Sequence, residues 1–313
     1  MTIAAGVVDR AQRTSPRAPV RRPRRIRKQT VAAWCFLAPS LIILAVFVFW
    51  PIVYSFDLSV HRWKFSADAQ AWVGMANYER MWRDARFWNA LGNTVYYTVF
   101  TVPLGIVLPL ALAMLLNQAI PLRSLLRSAF FLPVIASFAI VALAWRFMLD
   151  PDIGLLAYWL SFLGFPHVSP LRDPNLAMPS VILASLWKNL GFNMVIYLAG
   201  LQSIPQVLYE AARIDGANRW QQFANVTWPQ LRNTNIFVLV ISVIGAFQVF
   251  DPSFVMTPGG GPLFSTDTLV TYIYHTGITN LNLSYAASIG IFLFVVVFIL
   301  TLIQMRLTRA WEQ

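Results

Sequence analysis

The stretch Pro205–Pro229, PQVLYEAARIDGANRWQQFANVTWP, decides the reading of this chain. It lies in a polar interval of about 30 residues between two apolar runs long enough to cross a bilayer. Pro205 suits the first turn of a helix, Ala211 and Ala212 are strong helix formers, and Gly216 is a natural stop. Asn218 suits the cap of a second short helix, which ends before Pro229 because the residue preceding a proline avoids the helical region. The pattern predicts two short helices joined at Asp215-Gly216, lying on one face of a membrane protein. Small residues at 211, 212, 216 and 217 leave backbone open to close approach by another surface. Glu210 and Arg213, three apart, are placed to pair on one helix face. An ordinary connection between spans would look much the same, so pattern alone leaves both readings open.

The rest of the chain agrees with a membrane setting. Apolar residues make up 58% of it and charged residues 12%, and the mean hydropathy is +0.59. The charges are clustered and the neutral windows between them are long, which is the signature of a polytopic helical membrane protein. Six spans are expected at roughly 31–55, 91–116, 124–149, 179–201, 234–256 and 285–307, an all-α fold. No charged residue interrupts Phe87 to Leu122 or Thr268 to Met305. Pro39, Pro51, Pro103 and Pro109 fall within the first two spans, tolerable where neighbouring helices re-satisfy the freed carbonyls.

Residues 1–30 carry nine basic side chains against one acid, Asp9, and read as a disordered tail. A basic run ending against a span is a topology signal. The apolar run that follows is too long for a signal-peptide core and lacks a small-residue cleavage site, so a retained span is expected. With the N-terminus inside, sixteen basic residues fall on the cytoplasmic side and six outside. Both termini and the polar interval are therefore expected in the cytoplasm, and the net charge of +11 belongs to topology, not to a nucleic acid. Outside, residues 57–90 bear Trp63, Trp72, Trp82 and Trp88, which suits an interfacial helix, and 150–178 contain a short apolar helix from Leu155 to Phe162.

Three features of the polar interval and one beyond it resemble the permeases of ABC importers. Glu210-Ala211-Ala212, Asp215-Gly216-Ala217, and Phe223 with Val226-Thr227-Trp228-Pro229 are similar to that family's EAA loop, whose closing motif is usually isoleucine-x-leucine-proline. Phe250-Asp251 followed by Thr257-Pro258-Gly259-Gly260-Gly261-Pro262 is similar to a loop of the carbohydrate and glycerol-3-phosphate type, with one glycine more. The resemblance covers roughly residues 85–307. It implies a type I importer permease fold, with a tail at 1–30, a first span and outer loop at 31–84, and a permease core at 85–313 containing a coupling loop at 202–233. Glu210, Ala211, Ala212, Asp215, Gly216 and Ala217 would then meet an ATPase subunit. The implied partners are a second permease chain, two ATPase subunits, an extracytoplasmic solute-binding protein and the bilayer of the cytoplasmic membrane. ATP and magnesium would be used by the ATPase, with no cofactor on this chain.

The chain's own chemistry fits a passive role. No glycine is followed by lysine, so no phosphate loop is present, and no H-E-x-x-H, G-x-S-x-G or Ser/His/Asp pattern occurs. His61, His167 and His275 are scattered, and Cys35 is the only cysteine. Ionisable residues in spans are functional suspects, and Lys188 is the outstanding one, flanked by Trp187, Asn189 and Asn193. Asn189 and Asn193 are four apart on one helix face. By resemblance, Ser185, Asn189 and Phe192 face the translocation path, with Lys188 one step round. Ser242, Gln248 and Asp251 are the polar candidates of the fifth span. The plainer reading is that the asparagines stitch helices together and that Lys188 pairs with Asp251 or snorkels outward. Aromatic rings and amides suit sugars, and a lysine would add an anionic group such as phosphate. The rival class, an ion-coupled secondary transporter, would want carboxylates within the spans and inverted repeats; only Asp251 is available and no repeat is visible.

Overall fold

The structure, a computed structural model, describes residues 25–63, 71–164 and 169–310. Most of the expected basic tail (1–24) lies outside these residues, as do Lys64 and His167. The chain divides into two compact units, Met1–Val53 and Tyr54–Gln313. In the first, helix α1 (Arg25–Leu44) runs through Pro39 into a π turn at Ala45–Phe49. The helical run continues as α2 (Trp50–Val60), and the apolar window covers Gln29–Val60.

The second unit, from Tyr54, carries the end of α2 and everything beyond it. After a two-residue antiparallel ribbon pairing β1 (His61–Arg62) with β2 (Ala71–Trp72) come α3 (Ala76–Arg83) and α4 (Ala85–Leu116). Helix α4 starts earlier than the apolar pattern implies, because the Asp84 side chain accepts a hydrogen bond from the Arg86 backbone at 2.9 Å and caps it. Then follow α5 (Arg123–Ile135), α6 (Phe138–Met148), the expected short apolar helix α7 (Leu155–Phe162), and α8 (Pro174–Gln202).

The third span differs from expectation. Among the described residues five helical runs are long and apolar enough to cross a membrane, and residues 124–149 make a sixth only as a bent pair. They form α5 and α6, bent 98° from each other. Pro133 lies inside α5, and Ala136 takes an extended conformation (φ −68°, ψ 144°) that ends it. Such a break in a bilayer leaves the last carbonyls of α5 without partners unless a neighbour supplies a donor. Helix α8 lies close enough to do so. Gly191 presses against the backbone of Phe130, where a Cβ would collide.

Beyond α8 the polar interval folds as α9 (Gln206–Ile214) and α10 (Arg219–Gln222), a π turn at Phe223–Thr227, and α11 (Trp228–Gln230). The fifth span is also interrupted: α12 (Arg232–Phe247) stops, and after Gln248–Phe250 the chain resumes as α13 (Asp251–Met256), which packs on α6. A glycine loop leads to α14 (Leu269–Tyr274) and to the last span, α15 (Leu283–Ala310).

The glycine loop is more than a turn. Gly259, Gly260 and Gly261 have φ of +77°, +93° and +73°, conformations open to glycine but strained for other residues. Gly260 lies against the buried Asp267 and Gly261 against Thr266, where a Cβ would collide, while Gly259 faces open space. Asp267 pairs with Arg86 Nε at 2.8 Å, and Asn89 and Asn93 donate to the Phe264 carbonyl at 2.8 Å each. Thr94 Oγ1 accepts from the Leu269 backbone at 2.9 Å. The loop is thus clamped to the first three turns of α4.

Candidate functional site

Two places in the second unit carry the residues singled out from sequence. The first is the polar interval. Helix α9 ends in a Schellman stop: the Ala217 N–H donates to the Ala212 carbonyl (2.9 Å) and the Gly216 N–H to the Arg213 carbonyl (3.1 Å). Gly216 at φ +77° makes this stop possible, and open space surrounds it. Asn218 and Gln221 then form a reciprocal capping box that starts α10. Glu210, Ala211, Asp215 and Gly216 are exposed, as is Ile214, at 87%. Glu210 and Arg213 do not pair; Arg213 Nε instead donates to the Tyr209 carbonyl one turn back, at 3.3 Å.

The inner side of this segment is anchored. Tyr209, Phe223 and Val226 pack on a buried cluster of Leu110, Leu116, Met194, Tyr197, Leu231 and Val238, drawn from α4, α8 and α12. The Tyr209 hydroxyl meets Thr227 Oγ1 at 3.0 Å and ties α9 to the π turn. Trp228, where the resemblance leads one to expect leucine, stays half-exposed with its ring 6.1 Å from that of Phe223.

The second place is a cavity of about 380 Å³ between α4, α6, α8 and the broken fifth span. Of the expected path residues, Ser185, Asn189, Phe192, Asn193, Ser242, Gln248 and Asp251 line it. Trp187 and Lys188 are not among its lining residues. Trp187 turns to Trp145, ring centroids 5.9 Å apart. Lys188 Nζ points to the Val134 carbonyl, 3.4 Å away, and lies 5.2 Å from the centre of the Phe138 ring. It supplies a donor and a positive charge at the C-terminal end of α5, where the break leaves carbonyls unpaired. No ion pair joins it to Asp251 among the described residues.

Asn193 has a comparable task. Its Nδ2 donates to the Gly105 carbonyl at 2.8 Å. That carbonyl is four residues before Pro109, whose missing N–H would otherwise have been its partner. Thr268 Oγ1 likewise donates to the Val249 carbonyl, at 3.1 Å, inside the gap between α12 and α13. Irregular backbone at membrane depth is tolerated where it lines a cavity or is buried in protein, and both breaks border this one, through Phe138 and through Gln248 to Pro252. The sequence reading missed Tyr97, Thr101, Phe138 and Phe250 in the lining. The one signal for Phe138 was the small pair Ala136-Ser137 shortly after Pro133. Among the described residues no group of His, Cys, Asp and Glu converges as metal ligands.

An exposed, rigidly stopped helix and a largely apolar cavity with a few polar side chains between broken spans are the two features to place, and comparison with known families does so. Residues 71–313 match the family described as binding-protein-dependent transport system inner membrane component. The chain belongs to that family. This permease is 36% identical to the lactose transport system permease protein LacF of Rhizobium radiobacter, over 90% of its own length and 96% of the relative's. It is 34% identical to the sn-glycerol-3-phosphate transport system permease protein UgpA of Rhizobium meliloti, over 88% and 94%. Its structure matches, at a TM-score of 0.82, a chain of a bacterial ABC transporter involved in import of the acidic polysaccharide alginate, at 27% identity over 92% and 99% of the two chains. A second structure of an alginate transporter, in complex with an alginate pentasaccharide-bound periplasmic protein, matches equally well, with a TM-score of 0.82. The permease is thus a multi-pass membrane component of an ABC importer, with the type I fold.

Proposed function

We propose that this permease imports a neutral sugar or short oligosaccharide by alternating access, as one half of a pathway completed by a second permease chain. An extracytoplasmic binding protein delivers the solute. Two ATPase subunits, which bind and hydrolyse ATP with magnesium, engage the exposed face of Glu210–Ala217 on the cytoplasmic side, where both termini also lie. The observation that carries the reading is the common anchoring of the two sites: α8 lines the cavity with Ser185 to Asn193 and, beyond Met194, packs under Tyr209 of α9. A displacement imposed on α9 therefore reaches the cavity wall through packed side chains.

A neutral solute is favoured over a glycerophosphate by the charges present. Asp251 is the single charged residue of the lining, and Lys188 is engaged elsewhere. Rings of Tyr97, Phe138, Phe192 and Phe250 with the amides of Asn189 and Gln248 offer the stacking faces and hydrogen bonds that sugars use. Purifying the tagged permease from membranes tests the assembly. A phosphate-loop ATPase and a second permease in stoichiometric amounts are the expected companions. Uptake assays over neutral sugars and glycerophosphodiesters then test the solute, and uptake confined to the phosphodiesters would reverse the assignment.

A further inference from the structure

A second polar pocket, of about 730 Å³, lies between α3, the start of α4 and the connection from α14 to α15. Three arginines line it: Arg80, Arg83 and Arg86. Two are held by aromatic rings. The Arg80 guanidinium carbon lies 4.2 Å from the centre of the Tyr285 ring, and that of Arg86 lies 4.2 Å from the centre of the Phe264 ring. Arg86 uses Nε on Asp267, which leaves the two terminal nitrogens of its fork free of hydrogen bonds among the described residues. Arg83 is exposed and makes no side-chain hydrogen bond, ion pair or ring contact among them.

The pocket's own acids do not neutralise these forks. Asp84 is saturated by the hydroxyls of Tyr272 and Tyr285 and by the Arg86 backbone. Glu79, one turn before Arg83, does not pair with it. Arg80, held on the Tyr285 ring, and Arg83, at the surface, thus present guanidinium forks that no carboxylate among the described residues pairs with, the chemistry that recognises carboxylates from outside. A lipid headgroup fits the geometry less well. Ala76, Glu79, Arg80 and Arg83 share one helix face, whereas the exposed Trp82, the usual interfacial anchor, is about 100° round from Arg83.

We propose that this pocket is a docking site for acidic side chains of the extracytoplasmic solute-binding protein, with Arg80 and Arg83 as the contacting forks. The proposal rests on the function proposed above. Arginines at such a rim act chiefly on encounter rate, which falls with salt when the partner is acidic.

The test uses the complete transporter in nanodiscs and the purified binding protein that stimulates its ATP hydrolysis, with association followed by surface-bound kinetics at several salt concentrations. Arg80→Glu and Arg83→Glu together are expected to slow association by about tenfold or more at low salt and to flatten its salt dependence. Lysine placed at an acidic residue on the binding protein's permease-facing surface should restore the rate. Both substitutions are at exposed positions, and yield and melting temperature of the assembly check that it is intact. Wild-type association rates in the double variant would overturn the docking site and leave the function standing. Unchanged rates with loss of a co-purifying anionic phospholipid would also overturn it, assigning the pocket to a headgroup. A wild-type transporter that no solute-binding protein engages would overturn the function and the docking site together.

Discussion

At the scale of single residues, the structure separates polar side chains that only line the cavity from those that hold helices together. Asn193 and Lys188 look alike in sequence, as polar residues in a span, and both donate from α8 to carbonyls that α4 and α5 leave unpaired within themselves. Asn193→Leu should leave the Gly105 carbonyl unpaired and destabilise the protein by about 1–3 kcal/mol, measured as a lower melting temperature of the purified assembly. Lys188→Met should lower the melting temperature while leaving the order of preference among solutes unchanged; a switch from anionic to neutral preference would place the ammonium in the path after all. Asp84 gives a pH signature. Burial pushes its carboxyl up, but hydrogen bonds from Tyr272, Tyr285 and the backbones of Arg86 and Phe87 outweigh this and hold it below the ordinary carboxylate value. A depressed carboxylate stabilises the fold above its unfolded pKa of about 3.9 and loses that contribution as the pH falls below it. Wild-type melting temperature should therefore drop more steeply below about pH 4 than that of Asp84→Asn, in parallel scans. That the asparagines stitch helices together was one of the two readings open in the sequence; which carbonyl Asn193 meets, and the tasks of Lys188 and Asp84, were not legible, because each depends on which carbonyl or hydroxyl a distant segment brings alongside.

At the scale of elements, the polar interval was the most legible part. Its stop at Gly216 and its cap at Asn218 are local, set by backbone conformation within a few residues, and local rules suffice for them. The broken third span was not legible, since a run of apolar residues with one proline fits both a straight and a bent helix; contact with α8 decides between them. The glycine loop was recognisable by its residues but not by its task, because the Asp267–Arg86 pair joins positions 181 apart. Two substitutions test these elements. Gly216→Val should strain the αL stop by about 1–2 kcal/mol and separate ATP hydrolysis from uptake, with membrane insertion unchanged. Gly191→Val should drive a side chain into the Phe130 backbone and reduce the amount of folded protein, read by fluorescence size exclusion; normal yield would show that α5 and α8 part more readily than their contact implies.

At the scale of the whole molecule, one helix serves both functional places. Asn193 in the cavity and Pro205 before α9 are joined by the end of α8, and the buried Met194, Tyr197 and Leu201 stiffen that stretch against α4 and α12. The ten helical residues from Asn193 to the end of α8 at Gln202 span about 15 Å. The stretch therefore works as a lever with its load at the cavity and its handle at the exposed helix α9. A tilt of about 10° about the handle would carry Asn193 roughly 2.5 Å sideways, comparable to the width of a water molecule. A rod of this length needs no bending to admit or expel a small solute; what must yield is its wall opposite, and there the chain is already cut, at Ala136 and again at Val249.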